Sequence, residues 1–428
     1  MTRRGGSTRE HAREELRYYG DEAHRWYDWL VERSGGRARF KSRVLPGIAV
    51  ALVLVLGLTA WAVTPKSGKH EDDDGGFAAA ASTSAASASP AGPAMAAASA
   101  PAVAPGGPPA RPRAQPARTN GPWPTGMSAG NSGQANTFAS YRGRPNDVVV
   151  MFTARDSWGS ITGPWIGDSA NHFSSFPGTW VVSVPMFPEP PSGTNVDTWN
   201  QQRMAECASG AFDVQFRKFG NWLNRQGRSD SFVRIGWEFN GKWFAWKAAN
   251  PQQWVQCFRH EALALISVAP RVRIDWTINA RTTLPNGGDP FSAYPGDDVV
   301  DVIGIDTYDQ YPPSYDTGSF NAKCEDGPLL PGPCYVINFA QLHNKLFSVP
   351  EWGLVDEGTP AGQAGQAGGD NPFYIQQMAR LFRQYRGMLA YEAYFNDSDP
   401  RNVNSSLTNP VQQPNGSAAY RSLWSASQ

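Results

Sequence analysis

Residues 232–246 read FVRIGWEFNGKWFAW, an apolar, β-branched run that passes straight into Glu238 and then into Asn240, a glycine, Trp243 and Trp246. A strand that stops at a lone carboxylate has the form of a barrel strand delivering a reactive group at its C-terminal end. The pattern recurs downstream. Residues 346–358, LFSVPEWGLVDEG, place Glu351 where another apolar run stops, and residues 302–312, VIGIDTYDQYP, end a third run at Asp306, Tyr308 and Asp309. Further apolar runs read as strands at 147–153, 179–185, 272–278 and 388–395. Longer stretches with helical spacing separate them, as parallel α/β folds require. These are seven strands of an expected eight. The eighth is expected near 154–178 or beside the long helix read from TWNQQRMAECASGAFDVQFRKFGNWLNRQG, whose stripe is Phe212, Phe216, Phe219 and Leu223. A doubly wound sheet is the competing topology. Polar residues at the ends of several different strands favour the (β/α)8 TIM barrel, placed over residues 120–428.

Composition outside that region differs. Residues 45–63 form a run of about 19 residues without a charge, enough to cross a bilayer. Upstream lie Arg33, Arg37, Arg39, Lys41 and Arg43; downstream, Lys66 and Lys69 precede an acidic run from Glu71 to Asp74. This asymmetry predicts a cytoplasmic N-terminal segment (1–44), one transmembrane helix (45–64) and an exported remainder. A cleaved signal peptide is the alternative, but the polar stretch ahead of the apolar run is longer than its usual charged region. Residues 65–119 are rich in Ala, Ser, Pro and Gly with few large apolar side chains, the composition of a disordered linker. A flexible chain of about 50 residues spans on the order of 40 Å. The 38 basic and 38 acidic residues balance, which speaks against a nucleic acid partner. Cys207, Cys257, Cys324 and Cys334 are an even set on the oxidising side of the membrane. Four cysteines allow three connectivities; the expected one closes the Pro- and Gly-rich loop with Cys324–Cys334 and joins successive helices with Cys207–Cys257.

The chemistry follows from the two glutamates. A carboxyl among aromatic rings is held in its neutral form and is suited to protonating a leaving oxygen, the role expected of Glu238. The bland reading of Glu238 is an ion pair with Arg234. Glu351 is the expected nucleophile, with Asp356, Glu357 and Glu392 as rivals, and Tyr308 is expected to hold it ionised by donating a hydrogen bond. A retaining glycosidase brings two such carboxyls to about 5–5.5 Å. Trp237, Asn240, Trp243, Trp246, Asn279 and Trp352 are expected to contact substrate, while Trp180 and Trp276, inside strands, are expected in the core. The histidines His172, His260 and His343 are too scattered to make a metal site, so no cofactor is expected.

The motifs WEFNGKWFAW (237–246), VIGIDTYD (302–309), PEWG (350–353) and AYFNDSDP (393–400), in this order over about residues 147–400, resemble glycoside hydrolase family 26. The resemblance implies a barrel enzyme of the β-mannanase and β-glycanase kind, with Glu238 matching the acid/base, Glu351 the nucleophile and Tyr308 the tyrosine beside it. One position departs. The family commonly carries a histidine directly before the acid/base, and this chain carries Trp237, whose indole cannot accept a hydrogen bond. The expected function is a membrane-anchored, extracytoplasmic, retaining endo-β-glycosidase acting on a polysaccharide. A barrel that binds or senses carbohydrate without turnover, and a transglycosylase acting on envelope glycans, are the alternatives. Two retained carboxylates count against the first, and the second would share the same covalent intermediate.

Overall fold

The computed structural model describes residues 111–169 and 172–425. The segments expected as cytoplasmic (1–44) and transmembrane (45–64), and residues 65–110 of the expected linker, lie outside the described residues. Among those described, no helix is long and apolar enough to cross a membrane.

Eight parallel strands close on themselves in sequence order: β1 (Thr125–Ser128), β2 (Val148–Phe152), β3 (Thr179–Val184), β4 (Phe232–Ile235), β5 (Arg273–Asn279), β6 (Val302–Tyr308), β7 (Leu346–Gly353) and β8 (Leu389–Tyr394). Pairing of β1 with β8 completes the ring, Gly126 against Ala393. Strands covered on both faces need no alternation, which is why VVVMF and TWVVSV read as continuous apolar runs. The helices that matter below are α1 (Ser132–Arg142), α2 (Trp158–Thr162), α3 (Val196–Ala208), α4 (Asp213–Arg225), α5 (Pro251–Val268), α6 (Thr317–Glu325), α7 (Pro333–Leu342), α8 (Pro372–Gln384) and α9 (Pro414–Trp424). Several start with a side-chain cap: Asn131, Asn195, Asn250 and Asn371 each accept a first-turn backbone N–H.

The structure corrects three sequence expectations. The strand missing from the sequence reading is neither near 154–178 nor beside the long helix; it is β1, ahead of all seven. Its sequence, TGMS, has no apolar run, and it is a strand because Gly126, Met127 and Ser128 pair with Val148, Val149 and Val150. The long helix is two helices, α3 and α4, separated by a turn in which Gly210 takes a φ of +84°. Phe216, Phe219 and Leu223 form the buried face of α4, and Phe212 packs just before it. The strand read to Glu238 ends at Ile235.

The end of the expected linker is part of the folded unit. Residues 111–119 run across the N-terminal ends of the strands, where the Ala117 N–H donates to the Ala390 carbonyl (2.9 Å) and Arg111 Nε lies 3.0 Å from Asp301 Oδ1. Both expected cystines are present, with Cα atoms 4.8 Å apart in each: Cys207–Cys257 joins α3 to α5, and Cys324–Cys334 joins α6 to α7. Trp180 and Trp276 are buried in the core.

Glu392, one rival nucleophile, is sealed outside the barrel. Its carboxylate accepts from the indoles of Trp352 (2.7 Å), Trp424 (2.9 Å) and Trp123 (3.2 Å), tying β8 to β7, to α9 and to the chain entering β1. Gly126 tests the closure of the ring. A Cβ there would lie 2.0 Å from the Val148 carbonyl oxygen, which is backbone and cannot swing aside. Gly126→Ala is expected to cost about 1–3 kcal/mol in urea unfolding; an unchanged midpoint would mean that β1 does not close the barrel in this register.

Candidate active site

At the C-terminal end of the strands opens a cleft of about 650 Å³. Three carboxylates meet in it: one oxygen from each of Glu238, Asp306 and Glu351 lies within 4.8 Å of the others. They come from the β4 exit, β6 and β7, so only the closed barrel brings them together.

Glu238 sits three residues past β4 in a tight turn. Gly236 and Glu238 both have positive φ, +56° and +52°. At Gly236 a Cβ would come within 2.7 Å of Met186. Glu238 is not a glycine, so its left-handed backbone is strained, and such strain concentrates at functional sites. The turn is held on both sides, the Gly236 N–H donating to Val184 O (2.9 Å) and the Glu238 N–H to Thr277 O (3.1 Å). Its carboxylate accepts from Asn279 Nδ2 at Oε1 (2.6 Å) and from Trp243 Nε1 at Oε2 (2.8 Å). Burial, and next the negative charge of Glu351, push its pKa up to about 7, against the pull of those two donors and of Arg234.

Glu351 is aimed inward by an irregularity in β7. Strict alternation would put Ser348, Pro350 and Trp352 on one face. Instead Ser348 Oγ reaches Asp275 inside the barrel (2.7 Å), Glu351 also faces inward, and Trp352 faces outward toward Phe382 and Trp424. Register shifts between Val349 and Trp352 against β8, and between Gly304 and Thr307 on β6, absorb the extra residue. Glu351 Oε1 accepts from Arg234 Nη1 (2.8 Å), and Oε2 accepts from the Tyr308 hydroxyl (3.3 Å). Arg234 is therefore the partner of Glu351, not of Glu238.

Arg234 is fully buried and also contacts Asp306, Ser183 Oγ (2.9 Å) and Thr277 Oγ1 (3.3 Å). Burial alone would lower its pKa, but Asp306 and Glu351 outweigh burial and raise it. For Asp306 burial outweighs the arginine, and its pKa is raised. Burial, then the charge of Glu351, raise Tyr308, so its hydroxyl keeps its proton and donates. The three carboxylates are close enough to share a cation, but the Arg234 guanidinium already lies against two of them. The other close group among the described residues, Cys207, Cys257 and Glu261, has both its sulfurs joined in a disulfide.

Trp237, Trp243, Asn279 and Tyr308 line the cleft as the sequence predicts. Trp243 is 52 % exposed. Trp237 is nearly buried, its ring packed against Phe152 (5.5 Å), Phe244 (4.9 Å) and Trp246 (4.6 Å), so the wall beside Glu238 is aromatic. Three expected contacts do not reach the cleft. Trp246 is buried and donates to the Trp237 carbonyl (2.9 Å), fixing the turn from behind. Asn240 is buried and bonds the Asn279 N–H (2.8 Å), the Asn279 carbonyl (2.8 Å) and the Thr282 carbonyl (2.7 Å), which fixes the end of β5 so that Asn279 meets Glu238. Trp352 points away, onto Glu392. Sequence reading missed Phe152, Arg155 and Phe244 as lining residues, and Lys323, whose Nζ donates to the Tyr308 carbonyl (2.7 Å). The charge of Arg234 inside an apolar strand was the available signal for the inner network.

A closed (β/α)8 barrel thus gathers three carboxylates at the ends of its strands. Residues 220–324, a stretch inside the barrel, match the model of Glycosyl hydrolase family 26. The matched stretch contains Glu238, Asn279, Asp306 and Tyr308; Glu351 lies beyond it. No curated protein matches the chain. Solved structures similar to it include the Bacillus subtilis mannanase BCman (16% identity, 70% of this chain and 84% of that one, TM-score 0.46), the Bacillus subtilis mannanase man26 (18%, 72% and 87%, 0.45) and a Cellulomonas fimi endo-beta-1,4-mannanase double mutant (15%, 70% and 68%, 0.48).

The raised pKa of Glu238 has a sign that stability measurements read. The folded protein holds this proton more tightly than the unfolded chain does. The group therefore favours folding fully below about pH 4.5, and that contribution is lost as pH rises through about 7. Urea unfolding of Glu238→Gln is expected to lose less stability between pH 5 and pH 8 than the unaltered protein loses. Equal losses would show that Glu238 does not titrate in that window.

Proposed function

We propose that the chain is a retaining endo-β-glycosidase of the mannanase-like kind, with Glu238 as acid/base and Glu351 as nucleophile. The observation that carries this reading is a pair of carboxylates, in reach of one another, in opposite environments: Glu238 is half-buried, accepts only from the neutral donors Asn279 and Trp243 and has a pKa near 7, while Glu351 is bonded to Arg234. A separation of this order suits double displacement, since an inverting pair needs room for a water between the carboxyls. Glu351 Oε attacks the anomeric carbon as its bond to the leaving oxygen breaks, and Glu238 passes its proton to that oxygen. In the second half Glu238 takes a proton from water, whose oxygen displaces Glu351 and releases the sugar.

The Tyr308 hydroxyl donates to Glu351 and positions it, and Asn279 orients Glu238. The exposed ring of Trp243 suits stacking on a pyranose face while its N–H holds the acid. An open cleft lined with aromatic rings favours several consecutive sugar units, hence endo action on a polysaccharide.

The reading extends to the setting. Two cystines fit an oxidising compartment, and the apolar run 45–63, with arginines ahead of it, supports a single-pass anchor with the N-terminus inside. Protease added to intact cells is then expected to digest the barrel and spare the N-terminal segment; a barrel protected until lysis would overturn this placement.

The catalytic assignment is tested with the purified full chain on a panel of β-glycans that includes mannans and envelope polysaccharides. Glu351→Ala is expected to abolish turnover. Glu238→Ala is expected to lose about 10²–10⁴-fold on glycans and far less on an aryl glycoside with a good leaving group, which needs no proton. A 2-fluoro glycoside should label Glu351 in the peptide map. Equal product from all three proteins would refute both roles, and kcat/KM should decline above about pH 7 as Glu238 ionises.

A further inference from the structure

The barrel has a second cavity, on the face opposite the carboxylates. Where residues 111–118 cross the N-terminal ends of the strands they cover a space of about 570 Å³. Four arginines line it, Arg111, Arg118, Arg271 and Arg273, against two aspartates, Asp230 and Asp301. A concave site with such an excess of one charge focuses its field on whatever enters.

The bland account is that structural bonds use up these cations. That account suffices for Arg111, which pairs with Asp301 (3.0 Å) and donates to the Val272 carbonyl (3.0 Å). It does not suffice for Arg273. This side chain donates to the carbonyls of Gln115 (2.9 Å), Pro116 (3.4 Å) and Asp230, stacks its guanidinium 3.7 Å above the Phe232 ring, and forms no salt bridge among the described residues. Its Nε–H is buried without a hydrogen-bond partner. Backbone carbonyls supply dipoles and no charge of their own, and burial lowers the Arg273 pKa to about 10 although the charges of Asp230 and Asp301 act against it. Arg118 is exposed and has no ion pair among the described residues, and its charge repels both Arg273 and Arg228. Arg271 is held by one bond, to Ser229 Oγ. Positive charge has been gathered here beyond what the fold neutralises.

We propose that this cavity is an anion site for a phosphate group, with Arg118 and Arg271 as the accessible ligands and Arg273 supplying charge from behind. Phosphate fits better than a single carboxylate because several guanidinium groups line one cavity, and a tetrahedral oxyanion offers acceptors to more than one of them. A phospholipid headgroup and a phosphate-bearing envelope polymer share this chemistry. The site is independent of the glycosidase reading, since no residue of it lies in the cleft.

Calorimetric titration of the full chain with inorganic phosphate tests the proposal, beside Arg118→Ala and with acetate as the control anion. Arg118 holds no structural bond, so the variant is expected to fold and to keep the hydrolytic rate of the unaltered protein. Phosphate affinity should fall about 10-fold in Arg118→Ala. Without phosphate the variant should melt no lower than the unaltered protein, because a repulsion is removed; with phosphate the unaltered protein should gain more in Tm. A purely structural arginine would not give that crossover. Competition then separates the sources: displacement of phosphate by short-chain phosphatidylglycerol points to a lipid, displacement by a glycerol phosphate oligomer points to a polymer, and displacement by neither leaves free phosphate as the ligand. Absent phosphate binding, equal phosphate affinity in the two proteins, or acetate binding as tightly as phosphate would overturn the proposal.

Discussion

The buried guanidinium of Arg234 is the constraint from which the site is built. A charge withdrawn from water costs several kcal/mol unless partners surround it. Here the partners come from four other strands: Ser183 on β3, Thr277 on β5, Asp306 on β6 and Glu351 on β7. No open sheet would let one side chain touch all of them. Beneath it Gly304 keeps the interior passable, since a Cβ there would lie 2.6 Å from both Asp275 Oδ1 and Ser348 Oγ. The polar interior and the closed ring therefore require one another.

The same cation separates the two glutamates chemically. Both are acidic side chains on neighbouring parts of one cleft, yet only Glu351 is bonded to Arg234, whereas Glu238 has the neutral donors Asn279 and Trp243. A carboxyl facing neutral donors, burial and a nearby negative charge retains its proton to higher pH. Each first contact is supported from behind. Asn240 fixes the backbone of Asn279, Trp246 fixes that of Trp237, and Lys323 holds the Tyr308 carbonyl while lying 3.7 Å from Asp309. The α6–α7 cystine begins one residue after Lys323, whose Nζ donates to the Tyr308 carbonyl.

The two faces of the barrel divide the labour. Strand C-terminal ends carry the carboxylates and aromatic rings; strand N-terminal ends carry the strap of residues 111–119 and its arginines. Glu392 links the parts on the outer side. By accepting from three indoles it joins the chain entering β1 to the last helix, a polar centre within an otherwise apolar layer.

Seven strands, the positions of both glutamates and the presence of two cystines were legible in the sequence because each is a local signal: a run of apolar residues, a lone acid where it stops, an even set of thiols. The first strand was not, since TGMS becomes a strand only through its neighbours on either side. Nor could residue type decide which aromatic or amide side chains face the cleft. Trp243 and Trp246 are three residues apart, and one is half exposed while the other is buried. The inward aim of Glu351 depends on a register shift in β7 that alternation along the strand does not contain. Local composition thus determined which chemical groups the chain carries and roughly where each strand delivers them. The distance between them, the charge each one feels and the direction each one points were decided by the closing of the barrel, because those quantities belong to contacts between strands and not to any strand alone.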